Sequence, residues 1–287
     1  MTADQRADVI VIGGGLFGSV IHAALTDQGR DVIVLDDDRT GSGSLAAGCV
    51  MRPSWLTSLG DQHDPAMGLL RRLYPSFSEL PFDVTLGPAT QTVLCHWVDP
   101  WDVMAGRGHN DPARALSIDG NTVTYEEGGC ALRASAPLII VAAGIWTEEL
   151  LPELRGQVTA KWGVSFRHRA QRLDRSFIRP WAPFKQVVGV NFNTPNPSGL
   201  WVGDGRALNQ WSVAATDESR ARCAGNLPGA PYGELEPTVG ARPYAKTGGA
   251  PALLQEVRPG VWAATGGAKN GTAAAAWCAL RLMGVGR

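Results

Sequence analysis

The stretch from Asp8 to Asp36, DVIVIGGGLFGSVIHAALTDQGRDVIVLD, decides how this chain folds. Val9 to Ile12 are four β-branched residues in succession, the pattern of a strand buried on both faces. Gly13, Gly14 and Gly15 interrupt it, and the alanine-rich run from Ser19 to Asp27 then reads as a helix. Asp31 to Leu35 is a second buried strand, so the three pieces predict a parallel βαβ unit. Gly13, Gly15 and Gly18 form GxGxxG at the first strand-to-helix turn, and Asp36 closes the second strand. Gly13 permits the tight turn, Gly15 lets backbone N–H groups reach a pyrophosphate, and Gly18 lets the helix pack on the strand. Asp36 is placed to accept hydrogen bonds from ribose hydroxyls. The unit is expected to bind a dinucleotide, and the pattern alone does not separate NAD from FAD.

Outward from this unit, the remaining chain is ordinary globular protein. Of its 287 residues 44% are apolar and 18% charged, which excludes disorder and is enough for one large α/β unit or two interlocked domains. A net charge of -1 argues neither for nor against a nucleic-acid partner. Cys49, Cys95, Cys130, Cys223 and Cys278 are scattered without a CxxC pair, so they read as reduced thiols, with no metal site. Val9 to Leu25 is broken by glycines and has no basic region before it, so it is not a signal peptide. No run of about 18 apolar residues predicts a membrane span. The expected location is the cytoplasm.

A further doubly wound strand is expected over Pro137 to Ala142, followed by a helical start at Thr147, and a last strand and helix over Val261 to Ala264 and Gly271 to Met283. Between them, Pro53 to Trp97 and Lys161 to Glu234 lack α/β alternation. The expected fold is therefore α/β and discontinuous. Residues 1–60, 95–160 and 235–287 form a Rossmann-type cofactor-binding domain, and 61–94 and 161–234 a smaller α+β substrate domain.

Three later segments carry a resemblance: TGSGSLAAG at residues 40–48, LIIVAAGIW at 138–146, and Arg242-Pro243 followed by ATGGAKNG at 264–271. In this order they resemble the D-amino-acid oxidase, glycine oxidase and sarcosine oxidase family of FAD-dependent enzymes. The likeness covers most of the cofactor domain and implies a trimmed substrate domain. It implies FAD, with Ser44, Ala47 and Gly48 along the flavin and Ala143 and Gly144 near the nucleotide. Gly266, Gly267, Asn270, Gly271 and Thr272 would close over the flavin ring, the N-terminus of the final helix supplying positive potential at its pyrimidine edge. Lys269 falls where the resembling enzymes place the cation for the substrate carboxylate, and Arg52 is a candidate second cation.

The activity so implied is oxidation of the C–N bond of a glycine-like or secondary amine, by hydride transfer to flavin with molecular oxygen as acceptor. No second GxGxxG serves NAD(P)H. No acid or base is demanded, and His22, His63, His96, His109 and His168 read as structural or solvated. Tyr244 is a minor candidate for the pocket border. Two alternatives stay open. One is a flavin-binding protein without turnover. The other is the same chemistry on an amino-acid adduct of a modified nucleic-acid base. The latter is suggested by the segment 161–185, where Lys161, Arg167, Arg169, Arg172, Arg175, Arg179 and Lys185 interleave with Trp162, Phe166, Phe177, Trp181 and Phe184. The plainer reading of that segment puts its aromatics in the core and its charges in water.

Overall fold

In the computed structural model, which describes residues 5–44, 46–86, 88–105, 112–168, 173–182, 185–192, 199–227 and 234–285, the opening βαβ unit forms as its sequence dictates. After a short β1 (Gln5–Arg6), β2 (Val9–Ile12) is wholly buried and α1 (Leu16–Asp27) follows it, leading to β3 (Val32–Leu35). The pairing of β2 with β3 is parallel, Val9 opposite Val32 and Ile12 opposite Leu35. A chain that returns to parallel register needs a crossover, and α1 is that crossover.

This pair sits at one side of a five-stranded sheet. β10 (Leu138–Val141) lies parallel to β2 on the other side, then β17 (Val261–Thr265), with β16 (Leu253–Arg258) antiparallel at the edge. Both expected distant strands therefore join the sheet of the first one. One face of the sheet carries α1 and the C-terminal α6 (Gly271–Leu282), whose alanines from Ala273 to Ala276 are buried against α1. Small side chains allow two helices to lie close together on one sheet face. On the other face is a sheet of β1, β9 (Cys130–Ser135), β8 (Thr122–Glu127) and β7 (Ala113–Asp119), which contributes Val123, Tyr125 and Ala134 to a second core.

The large remaining sheet has eight strands. Its order is β15 (Glu236–Ala245), β11 (Val158–His168), β14 (Gly199–Gly203), β13 (Lys185–Phe192), β12 (Ser176–Ala182), β5 (Ser78–Leu86), β6 (Ala89–Trp97) and β4 (Val50–Met51). Residues 236–245, expected with the cofactor-binding part, pair within this sheet along the length of β11. α2 (His63–Leu73), expected with the substrate part, packs its buried Ala66, Met67, Leu69 and Leu70 in the core that holds α1 and α6. The shorter α3 (Pro100–Ala105), α4 (Thr147–Leu150) and α5 (Val213–Ala224) complete the chain. Among the described residues, no helix is long and apolar enough to cross a membrane.

Candidate functional site: one cavity between the two large sheets

The first turn of α1 is shaped by glycines that have no room for a side chain. Gly13 has φ 104°, and a Cβ there would lie 2.6 Å from the Ala142 carbonyl oxygen. A Cβ on Gly18 would lie 1.7 Å from the Gly13 carbonyl oxygen, so the helix rests directly on the turn. α1 has no acidic residue in its first turn and no side-chain cap at Gly15, which leaves its N-terminal potential for a bound anion. The Leu16 N–H donates to Ser44 Oγ at 2.9 Å, which draws the loop of residues 40–48 against the same turn. A Cβ on Gly15 would meet that Ser44 Oγ at 2.7 Å.

At the end of β3 the Asp36 carboxylate folds back over the turn, so close to Gly14 that a Cβ there would lie 2.5 Å from it. Beyond it, Arg39 is paired with Asp37 at 2.5 Å and Glu149 at 2.8 Å and lies over the Trp146 ring, 5.3 Å from its centroid. The Gly144 carbonyl accepts from Thr147 Oγ1 at 2.9 Å and from Thr265 Oγ1 at 3.2 Å, fastening the end of β10 to the end of β17.

At the opposite end, α6 begins behind a short turn over Ala268–Asn270. Asn270 Nδ2 donates to the Trp55 carbonyl oxygen at 2.6 Å, tying α6 to the chain after β4. A Cβ on Gly267 would meet Phe17 and Ala274 within 2.9 Å, so glycine is what lets this turn approach α1. Burial pushes the Cys49 thiol up to about 12, against a hydrogen bond with Thr272 that favours the thiolate. The indole of Trp201 packs on Gly48 and Gly203, where a Cβ would come within 2.7 Å of its ring.

These parts enclose a single cavity of about 790 Å³. Gly13, Gly15, Asp36, Ser44, Ala47, Gly48, Ala143, Gly144, Gly267, Lys269, Asn270, Gly271 and Thr272 all line it. Gly18 and Gly266 do not. Gly18 acts through helix packing, and Gly266, with φ 84°, turns the chain beside Ala245. Arg52 is also outside the wall. Its Nε is buried without a hydrogen-bond partner among the described residues, and its charge is felt by Cys95, whose thiol burial nonetheless pushes up to about 11. Tyr244 forms a bridge to Gly267 and does not line the cavity. Arg242, Gln186, Trp55 and Trp201 do line it, and the sequence marked none of them as site residues. Arg242 sat within a quoted motif, but Gln186 and Trp201 depend on strand pairing across the eight-stranded sheet, and Trp55 on the short turn Pro53–Trp55 that follows β4.

A cavity with the α1 N-terminus and an acid at one end and the α6 N-terminus at the other fits a dinucleotide carrying a ring system. The sequence expectation of FAD is compatible with this lining. Comparison with known proteins gives the fold its name. No family model matches the chain, and no curated protein sequence matches it. Among solved structures it is similar to an FAD-dependent oxidoreductase of Pseudomonas aeruginosa, with TM-score 0.69, 15% identity, and 98% of this chain and 92% of that one covered. It is similar also to iminodiacetate oxidase of Chelativorans, with TM-score 0.69, 17% identity and coverage of 96% and 94%. A third is glycine oxidase of Bacillus cereus, with TM-score 0.68, 14% identity and coverage of 96% and 94%. The fold is that of the FAD-dependent amine and amino-acid oxidases.

Two aromatics of the basic and aromatic segment are unavailable for base stacking. Phe166 and Phe177 are buried in the core beneath the eight-stranded sheet, so their faces are closed to bases. Arg167 lies over Trp101, Arg179 over Phe177, and Arg175 pairs with Asp83 at 3.5 Å. Arg169, Arg172 and Phe184 lie outside the described residues, as do the side chains of Trp181 and Lys185. His63 pairs with Asp64 at 2.8 Å and His168 with Glu234 at 2.8 Å, while His109 is outside the described residues. No cluster among the described residues is suited to a metal ion, and the cysteines are free.

Proposed function

We propose that this protein is an FAD-dependent oxidase that breaks the C–N bond of a small amine or amino acid carrying a carboxylate. The observation that carries the reading is the distribution of charge along the cavity. Its carboxylates, Asp36, Asp37, Asp38 and Glu149, belong to the β3 and α4 end, where a ribose and adenine would lie. Its cations at the other end are Lys269 and Arg242, while Arg39 and Arg114 lie with the carboxylates, and among the described residues no His or Tyr lines it. FAD bound along this cavity would supply the hydride acceptor.

The chain's own residues then bind and orient. Lys269, at the rim beside the α6 N-terminus, would hold a carboxylate and fix the substrate's Cα–H toward the ring. Trp55, Trp201 and Val188 form apolar wall that excludes water from that compartment. The substrate ammonium would lose its proton to solvent before reaction, so rates should rise with pH as the free amine is populated. Molecular oxygen is the proposed electron acceptor.

The test is anaerobic mixing of the flavin-loaded protein with glycine, sarcosine, D-alanine and proline, following flavin absorbance. Bleaching by at least one carboxylate-bearing amine, and not by the matching amine without a carboxylate, is expected. Flavin that stays oxidised with all of them would identify a flavin-binding protein without turnover.

A further inference from the structure

The eight-stranded sheet ends in an edge that is mostly open. β4 closes it over two residues, Val50 opposite Trp97 and Met51 opposite His96, and β6 runs on beyond β4 from Cys95 to Ala89 with no strand at its free side among the described residues. One residue shows where the free backbone groups of β6 point. The register of β5 on β6 is unbroken and sets Pro81 opposite Leu94, Asp83 opposite Thr92 and Thr85 opposite Thr90. Successive pairs of an antiparallel ladder alternate between hydrogen-bonded and non-hydrogen-bonded kinds. Proline has no N–H to donate, so Pro81 and Leu94 form a pair of the second kind, and so do the two pairs that follow at steps of two. The N–H and C=O groups of Thr90, Thr92 and Leu94 therefore face away from β5. His96 continues the series and is taken up by Met51 of β4, whereas the other three meet no backbone partner among the described residues.

Open edges in natural sheets are guarded by lysine, proline or a bulge. From Ala89 to Cys95 there is no charged residue and no proline, and the ladder with β5 has no bulge. Thr90 and Thr92 are exposed, and Leu94 is 56% exposed beside an exposed Pro81. The sheet face that α5 covers at Phe166 and Val202 is bare at this end. A second copy of the chain complements such an edge. Antiparallel pairing centred on Thr92 sets Thr90 against the partner's Leu94 and Thr92 against the partner's Thr92, so outward N–H and C=O groups meet their complements in each pair. A neutral strand meets no like charge in its own image, and the carboxylate beside it, Asp83, is paired with Arg175 at 3.5 Å. A charged peptide would find no counter-charge on β6. We propose that β6 pairs with β6 of a second copy across a two-fold axis at Thr92, giving a closed dimer with one continuous sheet. The proposal does not depend on what the cavity binds.

Sedimentation velocity of the full chain over a dilution series, in the wild type and in Thr92→Lys and Thr92→Pro, tests this. The wild type should sediment as a dimer at micromolar concentration. Thr92→Lys sets two like charges face to face on the axis, and Thr92→Pro removes an outward N–H that no backbone bond within the chain uses. Each should weaken the dimer by about tenfold or more and leave near-ultraviolet circular dichroism unchanged, and the exposed lysine variant serves even if the proline variant fails to fold. Residue-resolved hydrogen exchange supplies a second reading. The amides of Thr90, Thr92 and Leu94 should be protected in the dimer and released on dilution, whereas those of Gln91 and Val93, bonded to β5, should stay protected throughout. A wild type that remains monomeric would overturn the proposal. So would a dimer unmoved by Thr92→Lys with the amides of Thr90, Thr92 and Leu94 exchanging freely, which would place the contact elsewhere. A ladder of species larger than the dimer would overturn the two-fold closure.

Discussion

Gly18 shows how a single missing side chain decides the local structure. Glycine inside a helix costs about 0.5–1 kcal/mol relative to alanine, so propensity favours Gly18→Ala. Against that, the added Cβ would lie 1.7 Å from a backbone oxygen that belongs to the cofactor turn. Overpacking against backbone costs about 1–3 kcal/mol, so contact wins, and the variant should be less stable in chemical denaturation and weaker in FAD binding. Lys269→Ala, by contrast, should keep its FAD and lose up to about tenfold in reduction efficiency with a carboxylate-bearing amine, the worth of a charged pair at an exposed rim. An unchanged efficiency would remove Lys269 from the site. The thiols give a third check. Cys49, pushed up to about 12 by burial, and Cys95, to about 11, stay protonated at pH 8, and Cys223 and Cys278 are raised further. Only Cys130 is exposed, so native iodoacetamide should alkylate it alone, and mass spectrometry finding Cys49 modified would show that the cavity wall opens.

Among the elements, those read from local spacing frame the α1 end of the cavity. β2, α1 and β3 were legible because strand, turn and helix follow one another within one run of sequence, and the strand over Leu138–Val141 was legible because its four residues are all apolar. What was not legible is the wall made by the eight-stranded sheet. Trp201 and Gln186 reach the cavity only because β14 and β13 pair between β11 and β12, and nothing local in Gly199–Gly203 announces that register. Arg52 shows the converse. Its position in the chain suggested the pocket, yet after β4 its side chain leaves the wall. The start of α6 is tied by a long-range bond from Asn270 to the Trp55 carbonyl. Asn270→Ala should lower stability by about 1 kcal/mol in denaturation, since it also leaves a carbonyl without its donor. The aspartate variant, unable to donate, should do no better.

In the whole molecule a five-stranded sheet, parallel but for β16, and a large mixed sheet both line a common cavity. β15 lies in the second sheet while α2 packs beside α1 and α6, a closure made by long-range pairing that no local pattern announces. That closure brings the acid of β3 and the N-termini of α1 and α6 to one space, and the account stands or falls on what fills it. Titration of the protein with FAD and, separately, with NAD, following fluorescence and thermal stability, tests this most directly. The account predicts one FAD bound per chain with a raised melting temperature, and a much weaker response to NAD. A protein that binds NAD in preference to FAD, or neither, would contradict it.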